Sequence, residues 1–201
     1  MPGISAERAL KKLINGNERY VNGEYLEIAE ELAKELEEGQ FPFAAIVGCS
    51  DSRVPPEIIF DQGIGDLFVV RTAGEVVDDI ALGSIEYAIK YLDVKLIVVL
   101  GHLDCGAVKA AVEGGYQPGY IAAVTEAIKP AVAKAKTEKG NLFFNSIKAN
   151  VELNVARLKT SHILREAMLN NFVKIIGAIY DIHDGHVVFG VSTWYGEVLY
   201  Y

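Results

Sequence analysis

The sequence predicts an α/β fold: a mostly parallel central sheet with an antiparallel edge hairpin, flanked by helices and preceded by an N-terminal helical arm. Short continuous apolar runs are typical of parallel strands that are covered on both faces. They lie at 43–49, 66–70 and 95–101. The last apolar stretch, 172–193, is divided at Asp184–Gly185, which is a strong hairpin signal.

Residues 4–38 are predicted to form the arm, because apolar residues recur at helical spacing and a Glu-rich stretch continues to Gly39. The first apolar positions are Ala6, Leu10, Leu13 and Ile14. Gly16 and Gly23 are predicted to interrupt the helix. We expect a single domain over residues 1–201, with the arm at 1–39 and the α/β core at 40–201.

The core is predicted to contain helices at 78–92, 105–113, 120–136 and 143–170. In the first, Asp78 or Asp79 is a plausible cap, and several side chains follow a helical period. They are Ile80, Ser84, Tyr87, Ala88 and Tyr91. Ser161 is a candidate cap that begins a new segment within the last helix. Strand, helix and strand in succession predict a right-handed crossover.

Composition limits the function classes. A length of 201 residues fits one domain with a sizeable core, and a net charge of −8 argues against non-specific nucleic-acid binding. No apolar run reaches the roughly 18 residues that a membrane span needs, and the N-terminal segment lacks the apolar core of a signal peptide. We therefore expect a cytoplasmic protein without a membrane partner, whose two cysteines stay reduced.

Both cysteines follow predicted strands. Cys49 ends the first strand, and His102 and Cys105 follow the third. Because ligands bind beyond the carboxyl ends of parallel strands, these side chains converge if the two strands are neighbours. Two thiolates and an imidazole suit Zn²⁺, which prefers sulfur and nitrogen. Gly101 and Gly106 are predicted to let the backbone bend around the ligands.

Three protein ligands leave a fourth position, and Asp51 and Arg53 lie nearest to it in the sequence. An Asp paired with Arg cannot also bind the metal, whereas a free Asp could displace a bound water, so this pair suggests a switch. Zinc lowers the pKa of its bound water and so makes a hydroxide nucleophile. Two thiolates make the metal a weaker Lewis acid than three histidines would, so activity should rise at alkaline pH.

Simpler interpretations exist for the same residues. A lone buried cysteine is more often a small core residue than a ligand. Asp51 and Arg53 could form a structural ion pair, or Asp51 could be a permanent fourth ligand of a structural zinc, although oxygen is unusual in such sites. His183 and His186 flank the predicted hairpin turn, and they and His162 are expected to be solvated.

With these residues in place, the sequence resembles the β-class carbonic anhydrases over nearly its whole length. The two signature blocks are "CSDSRVPPEIIFDQGIGDLFVVRTAG" at 49–74 and "GSIEYAIKYLDVKLIVVLGHLDCGAVKAA" at 83–111. Residues 7–21 resemble the N-terminal arm of the family, and residues 177–189 resemble its closing hairpin. C-x-D-x-R followed by H-x-x-C is specific in this context.

The resemblance implies reversible hydration of CO₂ to bicarbonate and a proton at zinc. It implies that Cys49, His102 and Cys105 bind Zn²⁺ and that Asp51 and Arg53 form the catalytic dyad. In that family the dyad orients the zinc-bound hydroxide, and in a closed state the Asp becomes the fourth ligand.

The resemblance also implies a substrate pocket of the plant type, with Gln40 as a donor and Phe68 and Tyr87 as apolar lining. Ala73 fits that pocket, which favours an open site, whereas Glu75 replaces a frequent Asn of the family. Family members are dimers or multiples of dimers with sites at the subunit interface. A homo-oligomer built from dimers is therefore expected, in which the pocket residues need not come from the subunit that holds the zinc.

Two other functions compete with CO₂ hydration. A relative with the same fold could hydrolyse carbonyl sulfide or carbon disulfide, whose shapes resemble CO₂, and the metal ligands do not separate these substrates. A non-catalytic protein with a structural zinc would need only the ligands, so the presence of Asp51, Arg53 and Gln40 argues against it.

Overall fold

The computed structural model describes residues 3–26 and 39–190. Its strands are β1 (Ala44–Cys49), β2 (Leu67–Thr72), β3 (Leu96–His102), β4 (Lys174–Tyr180) and β5 (Val187–Phe189). They form one sheet in the order β2-β1-β3-β4-β5. The first four strands run parallel, and β5 pairs antiparallel with β4. The predicted fold class is confirmed, including the position of the hairpin at one edge.

The helices in the described residues are α1 (Ala6–Asn22), α2 (Pro56–Ile59), α3 (Asp79–Leu92), α4 (Gly106–Glu113), α5 (Ile121–Ala135), α6 (Leu142–Leu158) and α7 (His162–Leu169). A 3₁₀ turn at Ala73–Glu75 follows β2. No described helix is long and apolar enough to cross a bilayer.

Two predicted caps are confirmed, and one of them divides a predicted helix. Asp78 accepts a hydrogen bond from the Ala81 N–H at 2.8 Å and so caps α3. Ser161 accepts from the Leu164 N–H at 3.2 Å and begins α7. The helical stretch predicted over 143–170, with a new segment beginning at Ser161, is therefore two helices, α6 and α7.

The sheet separates two apolar cores. On one face it packs against α1 and α2, and on the other against α3 to α7. β1 and β3 lie at its centre and are buried along their whole length. Successive side chains alternate between the cores, so Ile46 belongs to the α1 side and Val47 to the α6 side. The carboxyl ends of both central strands therefore lie between two helical layers.

The arm differs from the prediction at one glycine. α1 is continuous through Gly16. A Cβ at this position would lie 1.8 Å from the Phe60 carbonyl oxygen, so the glycine allows α1 to pack closely there and does not break the helix. Gly23 does end the helix, with φ of 71° in the left-handed region. The second, Glu-rich segment of the predicted arm falls on 27–38, outside the described residues.

Candidate metal centre

Cys49, His102 and Cys105 converge at the carboxyl edge of the sheet. Cys49 is the last residue of β1 and His102 the last of β3, and these strands are paired neighbours. Cys105 immediately precedes α4. The candidate ligand atoms of the three residues lie within 4.8 Å of one another, and all three residues are buried. The convergence predicted from the sequence is present.

The geometry of this cluster fits zinc. The two sulfur atoms are 4.0 Å apart, and two sulfurs each about 2.3 Å from a tetrahedral zinc would be about 3.8 Å apart. His102 Nδ1 lies 2.8 Å from the Leu103 carbonyl oxygen, which can only accept, so Nδ1 carries the proton and Nε2 keeps a free lone pair. Nε2 is buried without a hydrogen-bond partner in the described residues, which is costly unless a ligand occupies it.

The electrostatics of the two thiols also favour a cation. The hydrogen bond between them lowers the pKa of Cys49 and raises that of Cys105, so without a cation the pair retains one proton. The Gly74 N–H donates to Cys49 Sγ at 3.3 Å, which stabilises a thiolate there. A divalent cation favours the thiolate at both positions.

Asp51 and Arg53 form a bidentate ion pair beside the cluster. Arg53 Nε and Nη2 donate to the two carboxylate oxygens of Asp51 at 3.0 and 2.8 Å, and the Arg53 guanidinium holds the pKa of that carboxyl well below its usual range. Asp51 Oδ2 lies 4.0 Å from His102 Nε2. Asp51 is therefore ionised, close to the candidate metal position, and already occupied by Arg53.

Arg71 on β2 holds the loop that carries the dyad. Its Nε donates to the Cys49 carbonyl oxygen at 2.9 Å, and its Nη2 donates to the Asp51 carbonyl oxygen at 2.6 Å. Arg53 Nη2 also reaches the Asp104 carbonyl oxygen at 3.3 Å, which links the Cys49 loop to the Cys105 loop. The sequence alone does not identify Arg71, because its role depends on strand pairing.

The bend between His102 and Cys105 is made differently from the prediction. Asp104 has φ of 57°, in the left-handed region, whereas Gly101 and Gly106 do not have a positive φ. A Cβ on Gly101 would lie 2.5 Å from Val151 Cγ2, so this glycine permits the close approach of α6 to β3. The prediction that the glycines provide the bend is wrong, and the polar Asp104 tolerates the turn conformation itself.

A buried carboxyl group lies behind the thiols. Glu75 is 1% exposed, has φ of 44°, and accepts a 2.7 Å hydrogen bond from Asn150 on α6. Burial, together with the charge of Cys49, raises the pKa of Glu75 to about 8. Glu75, which replaces a frequent Asn of the family, therefore lies next to the metal centre.

The predicted substrate residues lie away from the cysteines within one subunit. Phe68 on β2 pairs with Ala45, four positions before Cys49, which is about 13 Å along the strand. Gln40 is exposed and precedes the amino end of β1, whereas Cys49 ends that strand. Tyr87 stacks with Phe68, with ring centroids 6.4 Å apart. The structure therefore groups Phe68 with Tyr87 and brings neither to the metal centre of the same chain.

Comparison with known proteins gives consistent matches. The family model described as carbonic anhydrase matches residues 44–187. The chain is 42% identical to carbonic anhydrase 2 of Mycobacterium tuberculosis, covering 94% of each protein. It is 39% identical to the carbonic anhydrase of Mycolicibacterium smegmatis, covering 93% of this chain and 94% of that one.

Solved structures match in fold as well. A tetrameric β-carbonic anhydrase from Sordaria macrospora has a TM-score of 0.73 at 26% identity, covering 91% of this chain and 94% of that chain. The β-carbonic anhydrase CafA of Aspergillus fumigatus has a TM-score of 0.72 at 29% identity, covering 79% and 80% respectively. The family-model match over residues 44–187 spans the strands and loops that carry the metal centre.

Proposed function

The chain belongs to the β-class carbonic anhydrase family, and we propose that it hydrates carbon dioxide reversibly, to bicarbonate and a proton, with zinc held by Cys49, His102 and Cys105. The observation that carries this proposal is the convergence of three buried ligand atoms within 4.8 Å, with an ionised carboxylate 4.0 Å from the imidazole. Two sulfurs and one nitrogen match the ligand preference of zinc.

Zinc in this cluster would supply a Lewis acid that activates water as a nucleophile at near-neutral pH. The chain supplies the orientation. Asp51 accepts a hydrogen bond from the attacking water, and its low pKa keeps it ionised for that purpose. Arg53 fixes the carboxylate by two charge-assisted hydrogen bonds, which are stronger than neutral ones.

The Asp51–Arg53 pair supports a catalytic zinc over a structural one. A structural site needs a closed set of four ligands. Asp51, the fourth candidate in the sequence, is engaged by the side chain and the backbone N–H of Arg53. A position open to water is therefore proposed as the resting state, and the closed state would require this pair to separate.

We also propose that the catalytic pocket is completed by a second subunit, in a homo-oligomer built from dimers. Gln40, Phe68 and Tyr87 lie away from the metal centre of their own chain, as described above. A partner that covers β2 and α3 would bring an apolar surface to the site, and such a surface suits uncharged CO₂. The tetrameric relative from Sordaria macrospora is consistent with assembly.

Three further assignments remain predictions: a single domain over 1–201, a cytoplasmic location and the plant-type subgroup. They rest on composition and on the resemblance of Gln40, Phe68 and Tyr87 to that subgroup.

Stopped-flow CO₂ hydration on protein of known zinc content, from pH 7 to 9, tests the function. We expect rates that rise with pH and fall by about 100-fold or more in Asp51→Ala, which loses the orienting carboxylate. Asp104→Asn is the matched control, because its side chain faces His183 and asparagine tolerates its left-handed backbone. Zinc-loaded protein without hydration would contradict the proposal, and carbonyl sulfide would then be tested as substrate.

A further inference from the structure

Two buried asparagines on α6 face the 3₁₀ turn that contacts Cys49. Asn150 is 0% exposed and Asn154 is 4% exposed, and they lie one helical turn apart on a helix that also buries apolar side chains against the sheet. Buried amides are costly unless their hydrogen bonds are made. Their position next to the metal centre therefore requires an explanation beyond packing.

Both amides bind the backbone of residues 74–77. Asn150 Nδ2 donates to the Gly74 carbonyl oxygen at 2.8 Å and to Glu75 Oε1 at 2.7 Å. Asn154 Oδ1 accepts from the Val77 N–H at 2.9 Å, and its Nδ2 donates to the Asn150 carbonyl oxygen at 2.9 Å. We call Asn150, Asn154 and residues 74–77 the turn clamp.

The turn that the clamp holds is strained. Gly74 and Glu75 have φ values of 67° and 44°, so two successive residues are left-handed. A non-glycine residue in this region persists only where its surroundings enforce it. Gly74 has no room for a side chain either, since a Cβ would lie 2.7 Å from Ile128 Cδ1. The turn therefore depends on the contacts of α6 and α5 rather than on its own preference.

The strained turn places the Gly74 N–H in hydrogen-bonding distance of Cys49, a proposed metal ligand. The Gly74 N–H donates to Cys49 Sγ at 3.3 Å, from the residue whose carbonyl group Asn150 binds. An N–H donated to sulfur favours the thiolate, and partners of this kind orient metal ligands. We propose that Asn150 and Asn154 are positioning residues, which hold the Gly74 N–H on Cys49 and thereby set the metal affinity and electronic character of the centre.

This inference rests on the proposed function, because it treats Cys49 as a metal ligand. Asn150→Ala removes both donor bonds to the turn. Asn154→Ala is a second, milder variant, which removes the acceptor of the Val77 N–H and remains informative if the first does not fold. Asn145→Ala is the matched control, because Asn145 is also buried on α6 but donates to the Lys139 carbonyl oxygen, away from the turn.

The measurements are zinc dissociation constants by chelator competition and the sulfur-to-cobalt charge-transfer band of the Co²⁺-substituted proteins. We expect Asn150→Ala to weaken zinc binding by about 10- to 100-fold and to shift the charge-transfer band. Asn154→Ala should produce smaller changes in both the affinity and the band. Asn145→Ala should leave the zinc affinity and the band unchanged. If all three variants lose only stability and keep the wild-type affinity and band, the inference is wrong while the function stands. Wild-type protein that binds no zinc would overturn both.

Discussion

The carboxyl edge of β1 and β3 differs from the outer side of β2 and α3 in how completely a single chain buries its side chains and supplies their contacts. At the carboxyl edge, every candidate ligand is buried and held by neighbouring backbone or side chains. On the outer side, large apolar residues face solvent, with Ile80 79% and Tyr91 71% exposed. We call Phe68, Ile80, Tyr87 and Tyr91 the outer apolar face. The difference suggests that the chain builds its metal centre alone and its substrate pocket with a partner.

The largest effect is expected at the carboxyl edge. His102→Ala removes the imidazole ligand, and we expect zinc content to fall and CO₂ hydration to drop by about 1,000-fold or more. Zinc analysis and stopped-flow kinetics measure the two effects. His162→Ala, at an exposed position that begins α7, should change neither. Retained zinc and activity in His102→Ala would disprove the ligand assignment.

The outer apolar face should fail in a different way. Tyr91→Asp places a charge among side chains that are expected to be buried between subunits, where each aromatic contributes about 1.5–3 kcal/mol. We expect sedimentation velocity to show smaller particles than for the wild type, with zinc content unchanged and activity reduced. Leu169→Asp, which makes the same change at an exposed leucine of α7, is the control. An unchanged assembly in Tyr91→Asp would separate this face from the interface.

The two regions also differ in how much of them the sequence predicts. The ligands are found because Cys49, His102 and Cys105 lie at or just after the ends of apolar strands, and parallel strands end at one edge of the sheet. Helical period identifies α3 but not its orientation: the sheet buries Ala81, Ile85 and Ala88, while Ile80, Tyr87 and Tyr91 face outward. The smaller alanines allow close packing on the sheet, so apolar size alone is a poor guide.

Residues that act across long sequence separations are not predictable from local patterns, for a related reason. Asn150 contacts Glu75, 75 positions away, and Arg71 binds the Cys49 loop only through strand pairing. Neither belongs to a local motif. The sequence does place two asparagines, at positions 150 and 154, one helical turn apart within a predicted helix. Such a pair indicates buried polar contacts, but it does not identify the residues that the asparagine side chains contact.

The pH dependence of stability at Glu75 tests how well the carboxyl edge of the sheet excludes water. Its folded pKa of about 8 exceeds the ordinary 4.5, so the unfolded chain ionises first and wild-type stability falls as pH rises between these values. In Glu75→Gln this loss should be absent. We expect the variant to gain relative stability at up to about 1.4 kcal/mol per pH unit from pH 5 to 8, then level off. Urea unfolding across pH measures the difference, and a flat difference would indicate that water reaches this carboxyl group.

The smallest effects are expected on the free energy of unfolding, at Gly101 and Gly106. These glycines flank the loop between His102 and Cys105, and the sequence alone predicts the same role for both. A Cβ on Gly101 meets Val151 Cγ2 at 2.5 Å, whereas one on Gly106 meets no described atom within 4 Å. Gly101→Ala should therefore lower the free energy of unfolding by about 1–3 kcal/mol through overpacking, and Gly106→Ala should change it by less than about 0.5 kcal/mol. Urea unfolding at fixed zinc concentration compares them. Equal effects would mean that α6 can withdraw from β3 at little cost, and the carboxyl edge would then be less rigid than its burial implies.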